Sequence, residues 1–389
     1  MKKLLISSLA IGALTLMGGA AQAVQNIYLI AKPLEITLPD GSALGRKVTM
    51  WGFAPDSANG DCYKVKNGLK NTKEAKDARL VHPSCTGPVA TVPGPALNFN
   101  GDNIVKIYLT NLLPEPVSIV IPGQEKPFSF PNNGPTWTDG SKGPSAGGAP
   151  GTRRVRSFGR EAGKNGGRLK YFWTNFRNNP FKVGSYIYHS GTHPQVQVQM
   201  GLYGSINKNE AAGVAYSGIP YDHEVSLFYS EVDPELHDAV DPVGVGAPTY
   251  GTPNGPTSTI GYQPKYYLVN GKPFTTKPDA TLAGGVVGAR TLVRMYNMGY
   301  ENHNLVLNNL RMDIVAEDGR PYTYTYTDGA TTNPYPHNQY SALLPAGKTK
   351  DAIIAPATAG TYAVYDGMLG LGNVGSATGG MVNFLEVAP

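Results

Sequence analysis

Short hydrophobic runs follow one another along most of this chain, and each is closed by Gly, Asn, Asp or Pro. Examples are "PVSIVIPG", "SYIYHSG", "HEVSLFYSEV" and "GTYAVYD". The stretch "YTYTYT" alternates strictly, which places Tyr322, Tyr324 and Tyr326 on one face of a strand. Helical spacing is confined to short segments such as "TKEAKDARL" and "ELHDAV". The pattern predicts an all-β protein made of many short strands.

The first 23 residues differ from everything that follows. Lys2 and Lys3 precede the apolar stretch "LLISSLAIGALTLMGGA", and the small-residue pattern Ala21-Gln22-Ala23 comes next. These are the parts of a secretory signal peptide, so we expect cleavage after Ala23 and a periplasmic or secreted protein. No later stretch has the roughly 18 consecutive apolar residues of a membrane span.

Composition agrees with strands and turns, because the chain has 48 Gly and 32 Pro and only 16% charged residues. About 366 residues remain after the leader, which is more than one β-sandwich needs. We therefore expect two domains, residues 24–215 and 216–389. Two long Gly/Pro/Ser-rich loops are predicted at 132–152 and 241–259, and loops of this length are either functional or disordered.

Charge and cysteine content narrow the function classes. The formal charge of +5 falls to +3 when Lys2 and Lys3 are removed, which is too balanced to favour nucleic acid or an anionic membrane. The two cysteines, Cys62 and Cys85, are expected to form a disulfide in an oxidising compartment. A thiolate metal ligand is the alternative for these residues.

Several motifs resemble the multicopper oxidase family. Residues 91–124, "TVPGPALNFNGDNIVKIYLTNLLPEPVSIVIPGQ", are similar to the start of its first cupredoxin domain, and "GSYIYHSGTHPQVQVQMGLYGSI" is similar to its second copper motif. The segments "MYNMGYENHNLVLNNLRMDIVAEDG" and "LLPAGKTKDAIIAPATAGTYAVYD" resemble a second cupredoxin domain, which often binds no copper. The resemblance implies two tandem cupredoxin-like Greek-key β-sandwiches that cover most of the chain after the leader.

The copper ligands that this resemblance implies are largely replaced. The His-X-His-Gly motif falls on "VIPG", so its ligand positions hold Val120 and Pro122. The His-Cys-His motif of the blue copper site falls on Tyr365, Asp366 and Gly367, and no cysteine follows Cys85. The family's trinuclear centre takes eight histidines, whereas this chain has seven. We expect neither a blue copper site nor oxygen reduction by the family mechanism.

His189 and His193 are the candidate metal ligands, because they lie on the strand of the second copper motif. Residues four apart in an extended strand are about 13 Å apart, so a turn through Gly191 is needed for the two imidazoles to share one ion. His303 is a candidate third ligand if the two domains face each other. The other interpretation of His189 and His193 is a turn with two hydrogen-bonded imidazoles.

Other catalytic patterns are absent from the sequence. Glu224 and Glu231 are seven residues apart on one strand and therefore point to opposite faces, which excludes a glycosidase-like pair there. No GxSxG motif occurs, and "GLGNVG" at 370–375 opens no helix, which argues against dinucleotide binding.

Two hypotheses of function remain. In the first, the protein binds one non-blue copper ion at His189 and His193 and has little or no oxidase activity. In the second, it is a metal-free binding or structural module on the cupredoxin scaffold. The 23 tyrosines favour the second hypothesis mildly, since Tyr provides large amphipathic contact area, and they suggest a homo-oligomer or a protein partner. Tyrosine is also ordinary packing material in β-sandwiches.

Overall fold

The structure is a computed structural model, and its described part has nine ranges. The predicted leader and nearly all of the predicted loops at 132–152 and 241–259 lie outside them. The described residues are 24–69, 71–101, 104–127, 135–137, 155–174, 180–241, 258–325, 332–376 and 378–389.

The N-terminal part of the described chain contains eleven strands. The strands are β1 Val24–Leu38, β2 Arg46–Pro55, β3 Leu97–Asn100, β4 Ile104–Asn111, β5 Val117–Ser118, β6 Thr136–Trp137, β7 Val155–Ser157, β8 Glu161–Ala162, β9 Gly167–Trp173, β10 Gly184–His189 and β11 Tyr203–Asn209. Burial alternates along β4, as the sequence pattern predicts, whereas β10 and β11 are buried at every position.

The C-terminal part contributes sixteen more strands within the described ranges. They are β12 Val214–Tyr216, β13 Ile219–Pro220, β14 His223–Val232, β15 Tyr266–Val269, β16 Thr281–Val286, β17 Thr291–Asn297, β18 His303–Leu307, β19 Met312–Glu317, β20 Arg320–Pro321, β21 Thr323–Thr325, β22 Thr332–Pro334, β23 His337–Gln339, β24 Ser341–Leu344, β25 Thr349–Ile354, β26 Gly360–Asp366 and β27 Val382–Ala388. Helices are short: α1 Asp61–Lys64, α2 Lys73–Val81, α3 Pro83–Thr86, α4 Pro194–Gln197, α5 Pro234–Val240 and a 3-10 turn at Asn67–Leu69.

The same strand topology occurs twice. In the first sandwich, one sheet has the order β2-β1-β4-β9 and the other has β10-β11-β3. In the second sandwich, β15-β14-β17-β25 repeats the first order, with β19, β20 and β23 added, and β16-β27-β26-β18-β24 repeats the second in extended form. The parallel pairs also recur, because β1/β4 and β3/β11 correspond to β14/β17 and β16/β27.

Each sandwich has its own large apolar core between its sheets. Trp51 and Trp173 are at most 1% exposed in the first core, and Met295 and Leu385 are fully buried in the second. The prediction of tandem cupredoxin-like sandwiches is confirmed. The predicted domain boundary at residue 215 falls within β12, which pairs with β13, and the division there stays a prediction. No helix in the described ranges is both long and apolar enough to cross a membrane.

Residues 56–90 form a helical excursion that packs on the first sandwich. Cys62 and Cys85 are joined by a disulfide inside it, as the sequence predicts. Arg79 is fully buried and donates to the carbonyl oxygens of Gly166 at 2.8 Å and Val65 at 3.1 Å. The bridge closes the excursion on itself, and Arg79 fixes it to the turn before β9.

A buried arginine connects the two sandwiches. Arg294, in β17, is 1% exposed and donates to Ser185 Oγ at 2.6 Å and to Asn209 Oδ1 at 2.5 Å, both in the first sandwich. Its Nη2 also donates to Glu224 Oε2 at 3.1 Å, and Asp351 Oδ2 lies 3.9 Å from Nη1. Glu224 and Asp351 both belong to the second sandwich. The guanidinium group therefore has hydrogen-bond acceptors in the first sandwich and negative charges in the second.

The carboxylate of Asp351 extends this network. It is 1% exposed and accepts hydrogen bonds from Ser185 Oγ, at 2.7 and 2.8 Å, and from the hydroxyl of Tyr216. Burial raises the pKa of Asp351, and the Arg294 guanidinium opposes that effect. The aromatic rings of Tyr203, Phe228 and Tyr296 stack beside the network with centroids 5.1 Å apart.

A second buried charge cluster lies inside the second sandwich. His303, at the start of β18, has Asp366 Oδ2 3.0 Å from Nδ1, and its Nε2 contacts Glu231 Oε1. All three side chains are at most 1% exposed. Backbone amides complete the shell, because Tyr300 N–H donates to Glu231 at 3.0 Å and Asn304 N–H donates to Asp366 at 2.9 Å.

The carboxylates decide the protonation state of His303. Burial alone lowers its pKa, but the hydrogen bonds to Asp366 and Glu231 outweigh burial and raise the pKa to about 9. Burial likewise disfavours ionised Asp366, yet the bond from His303 and those from backbone amides lower its pKa. Burial raises the pKa of Glu231 despite His303. At neutral pH, His303 is therefore an imidazolium that cross-links β14, β18 and β26.

Replacing Arg294 by methionine should destabilise the protein by about 3–5 kcal/mol, because Asp351 would remain buried without its cation and Glu224 would lose its partner. The double variant Arg294→Met/Asp351→Leu should recover part of this loss. Urea unfolding measures both, with the exposed Arg311→Met as the control that changes stability by less than about 0.5 kcal/mol. An equally small effect of Arg294→Met would contradict the role of the network.

The His303 cluster predicts a pH dependence of stability. Because the pKa is raised above its unfolded value of about 6.5, the stabilisation is complete below pH 6.5 and is lost as the pH rises through about 9. The loss should be about 3 kcal/mol for the wild type. The free energy of unfolding, measured across this pH range, should vary less with pH for His303→Gln than for the wild type. For the exposed control His337→Gln it should vary as it does for the wild type. Parallel curves for the wild type and His303→Gln would refute the cluster as the cause.

Candidate functional site

The turn at residues 189–193 contains both predicted ligands, and backbone pairing fixes it. His189 ends β10 and exchanges two backbone hydrogen bonds with Val120, of 2.9 and 3.0 Å. Thr192 forms a bridge with Ser157 of β7. The turn therefore lies between the segment that holds Val120 and the strand that holds Ser157.

Buried hydroxyl groups hold the centre of this turn. Ser118 Oγ and Ser157 Oγ are 2.9 Å apart, and Thr192 Oγ1 lies 3.1 Å from each of them. The backbone N–H of Gly191 donates to Ser118 Oγ at 3.1 Å. All three hydroxyl side chains are fully buried, so these mutual hydrogen bonds satisfy groups that water does not reach.

Ser190 attaches the turn to helix α4. Its hydroxyl donates to Gln197 Oε1 at 2.6 Å, and Gln197 Nε2 donates to the carbonyl oxygen of Pro116 at 2.9 Å. Ser190 and Gln197 are both buried, at 0% and 2% exposure. Within the segment "HSGTH", the side chains of Ser190 and Thr192 are thus both held by hydrogen bonds to other protein groups.

His189 lines a cavity of about 290 Å³. Its Nδ1 lies 2.9 Å from the carbonyl oxygen of Ser190, which assigns the proton to Nδ1 and leaves Nε2 as an acceptor. Within the described ranges Nε2 has no hydrogen-bond partner. Burial lowers the pKa of His189 to about 4, so the ring is neutral at physiological pH.

The walls of this cavity are mostly apolar. Ile119, Val120, Ile121, Pro122 and Phe158 contribute hydrocarbon surface, and Gln124, Glu125, Lys126 and Arg160 also border it. Tyr171 also lines it, but its hydroxyl already donates to the carbonyl oxygen of Arg160 at 2.6 Å and accepts from the N–H of Ile119 at 3.2 Å. His189 is left as the buried polar group with an open acceptor.

His193 lines a different cavity, of about 370 Å³, with Lys76, Glu115, Arg156 and Lys164 among its neighbours. The residue has φ 40° and ψ 56°, in the left-handed region that non-glycine residues seldom adopt. Its backbone N–H donates to the carbonyl oxygen of Arg156 at 2.7 Å. Burial lowers the pKa of His193, and the adjacent Arg156 lowers it further.

The structure does not bring the three predicted histidines onto one cavity. His189 and His193 line separate ones, and both ring nitrogens of His303 contact carboxylates in the second sandwich. Within the described ranges, no group of three or more His, Cys, Asp or Glu is arranged to hold a metal ion. Glu231 and Asp366 lie at opposite nitrogens of the His303 ring, so they do not converge on a common point.

The residues in the ligand positions do not fit the copper centre that the family resemblance implies. Val120 and Pro122 have no donor atom in their side chains, and Val120 fills the space beside the turn. A Cβ atom at Gly191 would lie 2.7 Å from Val120 Cγ1 and 3.1 Å from Ser118 Oγ, so no larger residue fits there without rearrangement. Apolar side chains and hydroxyls occupy the positions where imidazoles would have to converge.

The sequence did not reveal the partners of these histidines. The sequence pattern identifies Glu231 only as a strand residue, and the family resemblance marks Asp366 only as a replaced ligand position. The sequence does contain a signal for Asp366. The motifs "GSYIYH" and "GTYAVYD" are alike, and they end the corresponding strands β10 and β26 with His189 and Asp366. The hydroxyl cluster of Ser118, Ser157 and Thr192 carried no comparable signal, since its members are far apart in the chain.

No protein-family model matches the sequence, and no match is found among curated proteins. Solved structures do match. The blue copper oxidase from Nitrosomonas europaea superposes with a TM-score of 0.58 at 16% identity, covering 94% of this chain and 86% of that one. The copper nitrite reductase from the same organism gives 0.56 at 16% identity, with 94% of each chain covered.

A larger protein matches over part of its length. The laccase from Botrytis aclada has a TM-score of 0.55 at 18% identity, and the match covers 93% of this chain but 52% of the laccase. Identities this low establish the fold and not the activity. The chain has the all-β cupredoxin fold of the multicopper oxidases, as the sequence resemblance predicts.

Proposed function

We propose that this protein is a metal-free binding module on the cupredoxin scaffold, and that the cavity beside His189 takes a small, mostly apolar molecule with one hydrogen-bond donor. The observation that supports this proposal is the buried, neutral imidazole of His189, whose Nε2 is an open acceptor in a mostly apolar cavity. A cavity of this composition is the usual form of a small-molecule site.

The size of the cavity limits the ligand. An apolar cavity of about 150 Å³ holds benzene, so about 290 Å³ accommodates one substituted aromatic ring or an aliphatic molecule of similar size. The donor of the ligand would meet His189 Nε2, while its apolar part would contact Val120, Ile121 and Phe158. Such a hydrogen bond adds about 1 kcal/mol to the hydrophobic contribution.

The setting of the module is also a proposal. The leader at 1–23 and the Cys62–Cys85 disulfide favour an exported protein, periplasmic or secreted. Exposed tyrosines in the second sandwich, among them Tyr324, Tyr335 and Tyr340 at 50–61% exposure, favour a protein partner or a second copy of the chain. The two-domain division near residue 215 belongs to the same proposal.

A copper ion shared by His189 and His193 is the alternative function. It would require the two side chains to leave their separate cavities, and His189 Nδ1 is already engaged with the Ser190 carbonyl. Copper bound there would have imidazole and water ligands without thiolate, and would lack the intense blue band.

We expect p-cresol to bind saturably and 4-methylanisole, which lacks the donor, to bind about fivefold more weakly. His189→Leu should abolish this difference between the two ligands. Val120→Phe should fill the cavity and abolish the binding of both ligands. Val374→Phe, at a position that is 55% exposed, should bind both ligands as the wild type does. Calorimetric titration of folded variants measures this. If Val120→Phe binds p-cresol as the wild type does, the cavity is not the site.

Titration of Cu(II) into metal-free protein separates the two functions. The metal-free module predicts weak binding that does not change in His189→Ala or His193→Ala. The copper alternative predicts one tight site, lost in both variants, with no intense visible band. Elemental mass spectrometry of protein from its native compartment provides an independent measurement, and near-stoichiometric copper would overturn the metal-free proposal.

A further inference from the structure

We infer that the cavity at His193 is a binding site for a small oxyanion, such as phosphate. It lies beyond the hydroxyl cluster from the His189 cavity and is lined by Lys76, Glu115, Arg156, Lys164, Thr192 and His193. The inference does not depend on the function proposed for His189, because the two cavities share no lining residue.

Two ammonium groups reach this cavity from different elements. Lys76 belongs to α2, and Lys164 lies between β8 and β9. Neither ammonium group has a hydrogen bond or an ion pair among the described residues, although Lys164 interacts electrostatically with Glu115. The Nζ of Lys76 approaches the turn closely, since a Cβ added at Gly163 would lie 3.6 Å from it. Two cations that line one cavity repel each other, and an anion between them would remove that repulsion.

His193 adds a donor to the same cavity. Neither of its ring nitrogens has a hydrogen bond among the described residues, so the N–H of the ring is open to an oxyanion, which accepts such donors. Arg156 also lines the cavity and contributes positive charge, although its Nη2 pairs with Glu161 and its Nε is inaccessible to water and hence to a ligand.

The backbone directs His193 into this cavity. A left-handed conformation is unfavourable for a non-glycine residue, and with this conformation His193 lines a different cavity from His189. A strained backbone conformation persists only where the surrounding structure enforces it, and strained residues are common at ligand sites.

The acidic residues do not cancel the positive charge. Glu161 is engaged with Arg156 and with Thr136 Oγ1 at 3.1 Å. Burial raises the pKa of Glu115, while Lys164 and Arg156 act in the opposite direction. Because Arg156 is paired with Glu161, the lining leaves Lys76 and Lys164 against Glu115, and this excess of positive charge favours an anion over a metal cation.

Isothermal titration with inorganic phosphate in low-chloride buffer tests the inference. We expect one saturable site, weakened about tenfold in Lys76→Gln and in Lys164→Gln. Lys73→Gln is the matched control, because Lys73 is on the same helix but does not line the cavity, is 90% exposed and pairs with Asp77. His193→Gly should keep the thermal stability, since glycine tolerates the left-handed conformation, and should still weaken phosphate binding.

Two results would overturn the site. One is the absence of saturation below about 10 mM phosphate. The other is an equal loss of affinity in Lys73→Gln, which would indicate general attraction to a basic surface. Failure of p-cresol binding in the His189 cavity would leave this outcome unaffected, so the two proposals fail separately.

Discussion

The buried charge of Arg294 is the interaction on which the packing of the two sandwiches depends. Its guanidinium is nearly excluded from water and is compensated by Ser185 and Asn209 on one side and by Glu224 and Asp351 on the other. A buried cation that loses its partners costs several kcal/mol, so only a narrow range of relative positions is stable. Stacked aromatic rings beside it add apolar contact that needs the same register.

Corresponding strands in the two sandwiches end in different chemistry. β10 ends in His189, a neutral imidazole beside a network of hydroxyls, whereas β26 ends in Asp366, which holds a protonated His303. In both places, hydrogen bonds between protein groups satisfy most of the buried polar atoms. The first arrangement leaves an open acceptor at a cavity, and the second is closed because each ring nitrogen has a carboxylate. The first sandwich therefore has a cavity beside an open acceptor, whereas the second has a buried cross-link between strands.

The turn between His189 and His193 separates two cavities of opposite character. On one side, hydrocarbon walls surround a single acceptor, and on the other, Lys76, Arg156 and Lys164 surround a donor-rich space. The buried hydroxyls of Ser118, Ser157 and Thr192 are bonded to each other and hold the centre of this turn. The imidazoles at its two ends line different cavities.

The sequence by itself determined the all-β class, which follows from local alternation, and its motifs, through their resemblance to the multicopper oxidase family, indicated the repeated cupredoxin pattern and the replacement of ligands at Val120 and Pro122. It also indicated the disulfide, since only two cysteines exist. The directions of His189 and His193 were decided by tertiary structure alone, through the backbone pairing with Val120 and the left-handed conformation of His193. The charge of His303 was likewise outside the reach of the sequence, because Glu231 and Asp366 are 72 and 63 residues away along the chain and meet it only when the strands pack. Long-range contacts set burial and hydrogen bonding, and these in turn set protonation.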